Sequence, residues 1–77
     1  MAAQKLAELK DERDDLDRRI AHMISLADRN NCSKDWNQGK TCYLEGRLLS
    51  RAEFDRELAQ MRLRISQINE ILSLYGR

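Results

Sequence analysis

Two stretches of this chain, residues 2–29 and 50–75, contain neither glycine nor proline, and each places apolar residues at alternating spacings of three and four. In the first, Leu6, Leu9, Leu16, Ile20, Met23 and Ala27 follow that rule with one interruption, Arg13. In the second, Phe54, Leu58, Met61, Ile65, Ile68, Leu72 and Tyr75 follow it unbroken. A repeat averaging 3.5 residues over about three heptads is the pattern of a coiled-coil seam. Leu, Arg, Glu, Gln and Ala, which lose little on entering a helix, fill much of the rest. The pattern predicts an all-α fold, an antiparallel two-helix coiled-coil hairpin in a single domain over residues 1–77. Its parts are a helix at 2–29, a connector at 30–49 and a helix at 50–75.

The second helix carries its own start signal. Ser50-Arg51-Ala52-Glu53 has the Ser-x-x-Glu form of a capping box, with Leu49 and Phe54 placed for the accompanying hydrophobic staple. Setting Ala27 opposite Phe54 gives a full register. Met23 then faces Leu58, Ile20 faces Met61, Leu16 faces Ile65, Leu9 faces Leu72 and Leu6 faces Tyr75. The same register sets Arg13 against Ile68. A charged seam residue costs stability unless it finds a partner, and polar seam residues set register or oligomeric state. Arg13 is therefore a candidate specificity residue, its carboxylate expected from Asp17 or from a neighbouring subunit.

The connector is far longer than the 2–8 residues usual between bundle helices. It holds the only Trp, Trp36, together with Tyr43, Cys32, Cys42, Leu44, Leu48 and Leu49. That apolar content predicts an ordered segment. Asn30-Asn31 and Asn37-Gln38-Gly39 are turn signals, and Thr41 to Arg47 is expected to form a short helical turn stopped by Gly46. With no apolar leader at the N-terminus, a reducing cytoplasm and free thiols are the first expectation for Cys32 and Cys42. The alternatives are a disulfide closing the connector and half of a metal site completed by a second subunit. Two thiols and the distant His22 do not make a four-ligand zinc site, so no metal or cofactor is expected. His22, on the first helix, is expected to be a solvated surface residue.

Charge narrows the function classes. The chain has 77 residues, with 14 Lys and Arg against 13 Asp and Glu. The balance holds in each segment, so no block resembles the basic arm of a nucleic-acid-binding protein. Asp11, Glu12, Asp14, Asp15 and Asp17 are interleaved with Lys10, Arg13, Arg18 and Arg19. Asp14 to Arg18 and Asp15 to Arg19 read as helical ion pairs four residues apart. No apolar run approaches the roughly 20 residues of a membrane span. No nucleophile–base pair is evident, and so small a chain leaves little room for a catalytic cleft. No catalytic residues are assigned.

Apolar residues off the seam point to assembly. Leu63, Ile71 and Leu74 form a second stripe on the second helix, with Gln67 between them, and Ile24 and Leu26 flank the first seam near the connector. A hairpin of this size has a marginal core, and a homodimer forming a helical bundle is the simplest way to bury the stripe. Trp36 and Tyr43 are aromatic anchors of the kind enriched at binding hot spots. They also suit a cap over Phe54 and Ala27 at the open end of the hairpin. The expected function is a non-enzymatic protein–protein interaction module, a small cytoplasmic adaptor or inhibitor that binds a larger protein as a homodimer. Its size suits a bacterial or phage-encoded regulator. The competing expectation is a nucleic-acid-binding regulator whose dimer gathers arginines, among Arg47, Arg51, Arg56, Arg62 and Arg64, onto one face.

Two short phrases resemble known families. Gly46-Arg47-Leu48-Leu49-Ser50-Arg51-Ala52-Glu53-Phe54 resembles the helix-start phrase of the oligomerisation modules called SHOCT domains, which implies self-association. Ser66-Gln67-Ile68-Asn69-Glu70 resembles the Ser-Gln-Glu-Leu-Asp signature of a family of helical-hairpin aspartyl-phosphate phosphatases. Here Ile68 and Glu70 occupy the signature's Glu and Asp positions, so the resemblance does not carry the activity over.

Overall fold

A computed structural model describes residues 3–75. Helix α1 (Ala3–Arg29) and helix α3 (Arg51–Tyr75) pack antiparallel, and the chain between them forms helix α2 (Cys32–Asn37) and strands β1 (Cys42–Leu44) and β2 (Arg47–Leu49). The molecule is a rod measuring 49 × 17 × 15 Å. The expected helix start at residue 2 and the breaker Gly76 lie outside the described residues. No helix among those described is long and apolar enough to cross a membrane.

The three/four spacing translates into burial. Ala27, Phe54, Leu58 and Ile68 are buried, and Leu6, Leu9, Leu16, Ile20, Met23, Met61, Ile65 and Leu72 are half-buried. Tyr75, the last of the series, is exposed. The core is concentrated at the connector end. Ala27, Phe54 and Leu58 join Cys32, Cys42, Leu44 and Leu49 in one cluster, with Ile20, Met23, Leu26, Trp36 and Met61 against it. The connector therefore supplies four of the seven buried residues in that cluster. It is part of the core.

The start of α3 follows its sequence signal. The Glu53 amide donates to the Ser50 Oγ at 3.2 Å, and the Ser50 amide donates to the Glu53 carboxylate at 3.1 Å. Both bonds satisfy donors that a bare helix end leaves open. They also hold the Glu53 carboxyl below its usual range, the bond from the Ser50 backbone first.

Inside the connector the structure corrects two expectations. Cys32 and Cys42 form a disulfide, with Cα atoms 5.4 Å apart, rather than remaining free. With both sulfurs used, the half-metal-site alternative is gone as well. Two local turns bring the cysteines together. Asn31, in the left-handed region at φ 53°, reverses the chain from α1 into α2. Gly39, at φ 74°, then ends α2 with a Schellman arrangement. In it the Lys40 amide donates to the Asp35 carbonyl at 2.8 Å and the Gly39 amide to the Trp36 carbonyl at 3.0 Å.

Thr41 to Arg47 is not helical. It belongs to a β-hairpin pairing Cys42 with Leu49, Tyr43 with Leu48 and Leu44 with Arg47. Glu45 and Gly46 both have positive φ, 46° and 82°, the requirement of a type I′ two-residue turn and incompatible with a right-handed helical turn. The sequence does hold a signal for it. Cys42 and Leu44 point inward and Tyr43 outward, an alternation of period two ahead of an x-Gly turn.

Candidate functional site

The residues singled out in the sequence fall on three separate surfaces. Trp36 lies at the connector end of the hairpin. Its ring packs on Phe54 with centroids 4.9 Å apart and planes at 41°, and its indole N–H donates to the Leu49 carbonyl at 3.0 Å. Ala27 and Phe54 belong to the cluster it packs against, which is the arrangement of a cap. Tyr43 is elsewhere, on the outer face of the β-hairpin. It is 63% exposed beside its cross-strand neighbour Leu48 at 64%. Leu48, not singled out from sequence as a contact residue, shares that outward face with it.

Leu63, Ile71 and Leu74 lie along α3. Leu63 and Leu74 are 60% and 68% exposed, and Ile71 is half-buried. They form a row outside the intramolecular seam, distant from Trp36 and Tyr43 in the fold. The structure brings none of these partner-binding candidates into a common site with the aromatic pair.

Arg13 finds its partner within the hairpin, though not the one expected. Its guanidinium donates to the Asn69 Oδ1 at 3.2 Å and lies 3.6 Å from the Asp14 carboxylate. Asp17 is not involved. Asn69 follows Ile68, the residue that the heptad register sets against Arg13, so the long side chain passes the seam and bonds at its edge. This is snorkelling.

A second polar layer was not anticipated. Arg64 grips Glu12 with two hydrogen bonds, at 2.6 and 3.0 Å. Those bonds hold the Glu12 carboxyl below its usual range and push the Arg64 guanidinium up. The available signal was position. Both residues flank the seam, where opposite charges on facing helices pair. Arg47 on β2 bonds Glu57 on α3 at 2.8 and 2.9 Å, and Glu57 raises its pKa in turn. His22 is exposed as expected, but it contacts the Glu45 carboxylate in the hairpin turn, tying α1 to that turn. The expected pairs Asp14–Arg18 and Asp15–Arg19 do not form. Among the described residues, Arg18 and Arg19 make no ion pair within 4 Å. Exposed pairs of that kind gain only a few tenths of a kcal/mol, too little to hold two long side chains in place.

A cleft of about 320 Å³ lies between α1 and the β-hairpin, with the His22–Glu45 contact on its lining. Met23, Leu26, Leu44 and Leu49 give it an apolar wall, and Arg18, Arg19, His22, Glu45 and Arg47 line the rest. Comparison with protein-family models, curated proteins and solved structures found no match to this chain. The two short phrases resembling known families therefore bring no membership with them.

Proposed function

We propose that this chain is a non-enzymatic protein–protein interaction module that pairs with a second copy of itself and binds a larger protein. The observation that carries the reading is the row of Leu63, Ile71 and Leu74, the two leucines exposed and Ile71 half-buried, on a hairpin whose own core is gathered at the connector end. Exposed leucines aligned on one side of a helix suit burial against a partner. The three/four spacing supports coiled-coil packing of the seam, and a second hairpin laid on the α3 row completes a four-helix arrangement.

Cytoplasmic residence stays within the proposal on one condition set by the bridge. Disulfides are rare in reducing compartments, so Cys32–Cys42 must be shielded there by burial. Cys32 is fully buried and Cys42 is 2% exposed. Thiol labelling of the cytosolic fraction of freshly lysed cells tests the condition: an intact bridge there supports it, and a protein found only outside that fraction removes the cytoplasmic reading.

Size-exclusion chromatography with light scattering tests the assembly. The expected result is a dimer at micromolar concentration and a folded monomer for the double variant Leu63→Ser, Leu74→Ser. A folded wild-type monomer at the same concentration overturns the homodimer.

A further inference from the structure

We propose that the cleft between α1 and the β-hairpin binds a short segment of a partner protein in which a large aliphatic side chain is flanked by carboxylates. The proposal rests on the interaction reading above and names the partner's chemistry. At about 320 Å³ the cleft is near the small end of ligand-binding clefts, with room for a side chain rather than a domain surface. Leu44 and Leu49 on its wall are buried and held by the β-hairpin, so that side is preformed. Met23 is half-buried and, as a flexible thioether, adapts its shape to what enters.

The rim decides the sign of the occupant. A neighbouring depression of about 270 Å³, which includes Leu16, Met61 and Arg64, shares Arg19, Met23 and Arg47 with the cleft. Along the two together, Arg18, Arg19, Arg47 and Arg64 stand against Glu45 and Glu57. Glu57 neutralises Arg47, and Glu12, from α1, neutralises Arg64. Arg18 and Arg19 are left with no carboxylate within 4 Å among the described residues, directly beside the apolar wall. Segment-by-segment neutrality conceals this, because Arg47 and Arg64 are matched by carboxylates of other elements while Arg18 and Arg19, beside the same cleft, are not. A carboxylate next to an aliphatic group answers both halves of the site, and guanidinium pairs bind carboxylates through paired N–H donors.

Nucleic acid is the weaker occupant. Among the described residues the one ring lining the cleft is His22, already engaged by the Glu45 carboxylate, and two arginines without an ion pair are few for a phosphate track.

Fluorescence anisotropy with the labelled peptide Glu-Glu-Leu-Leu-Glu-Glu tests the inference. The wild type is expected to bind it with a micromolar Kd that rises with salt. Replacing the peptide's leucines by alanine, or its glutamates by lysine, is expected to weaken binding about tenfold or more. Arg18→Glu with Arg19→Glu, both exposed and with circular dichroism confirming the fold, is expected to do the same. Leu63→Ser with Leu74→Ser is expected to leave peptide binding unchanged while altering the oligomeric state. Equal binding of the alanine peptide, undiminished binding by the arginine variant, or tighter binding of a single-stranded oligonucleotide each overturns the proposal. So does failure of the wild type to bind the peptide. Light scattering separates the two readings, because a dimer that ignores the peptide loses the cleft and keeps the module. Loss of the dimer in the arginine variant also overturns the proposal, because the cleft then belongs to the self-association surface.

Discussion

Arg64 holds Glu12 through two hydrogen bonds that join α3 to α1 between residues 52 positions apart. The pair is partly solvated, and Arg64 lines a depression with half-buried Leu16, Met23 and Met61, outside the buried cluster at the connector end. Such a contact matters more for the alignment of the two helices than for total stability.

Its pH dependence follows from the direction of the shift. Glu12 is held below its ordinary pKa in the folded chain. The stabilisation is therefore present above the unfolded value, about 4.3, and is lost as pH falls through the lower folded value. Thermal melts are expected to show Glu12→Gln less stable than wild type at neutral pH, with the gap closing as pH falls below the ordinary glutamate range. An unchanged gap across that range would count against the pair.

The disulfide closes a short loop between α2 and β1, and its removal is expected to cost about 3 kcal/mol. Urea titration with and without a reductant measures this directly. The cluster containing both cysteines should loosen first, so the near-ultraviolet signal of Trp36 is expected to fall before helical ellipticity. Coincident loss of both signals would show that hairpin and connector unfold as one unit.

Trp36 joins two functions that separate variants can split. Trp36→Phe keeps a ring against Phe54 but removes the donor to the Leu49 carbonyl, an expected cost of about 1 kcal/mol. Trp36→Ala also removes the ring and is expected to cost about 3 kcal/mol. Unchanged melting of the alanine variant would instead make Trp36 a pure contact residue.

Ser50 and Gly46 test the two local signals bounding β2. Ser50→Ala deletes the cap on α3 and is expected to cost roughly 0.5–2 kcal/mol. At Gly46 an added Cβ would lie 3.8 Å from the Tyr43 hydroxyl, an ordinary contact, so crowding is not the issue. The cost of Gly46→Ala is the backbone's, at φ 82°, and is expected to be about 1–2 kcal/mol in denaturation.

What was legible in the sequence shares one property: each feature is written within a few residues of where it acts. The two long helices come from spacing that repeats every three or four positions, and the start of α3 comes from Ser50 and Glu53, three apart. The order of the connector was legible from its apolar content. Its form was written only in the short alternation of Cys42 to Leu44 before Gly46, and Glu45 adopts a left-handed conformation that its residue type disfavours, held there by the paired strands and by His22.

The tertiary structure decided the rest through pairings between residues distant in the chain. Compartment reasoning favoured free thiols. The bridge exists because the turns at Asn31 and Gly39 bring Cys32 and Cys42 together. Arg13 bonds to Asn69 across 56 positions, and His22 meets Glu45 across 23. Local periodicity specifies which face of a helix is apolar, but not which charge on the facing element lies within reach. That is also why a chain neutral in every segment folds into a molecule with two unanswered arginines beside an apolar cleft.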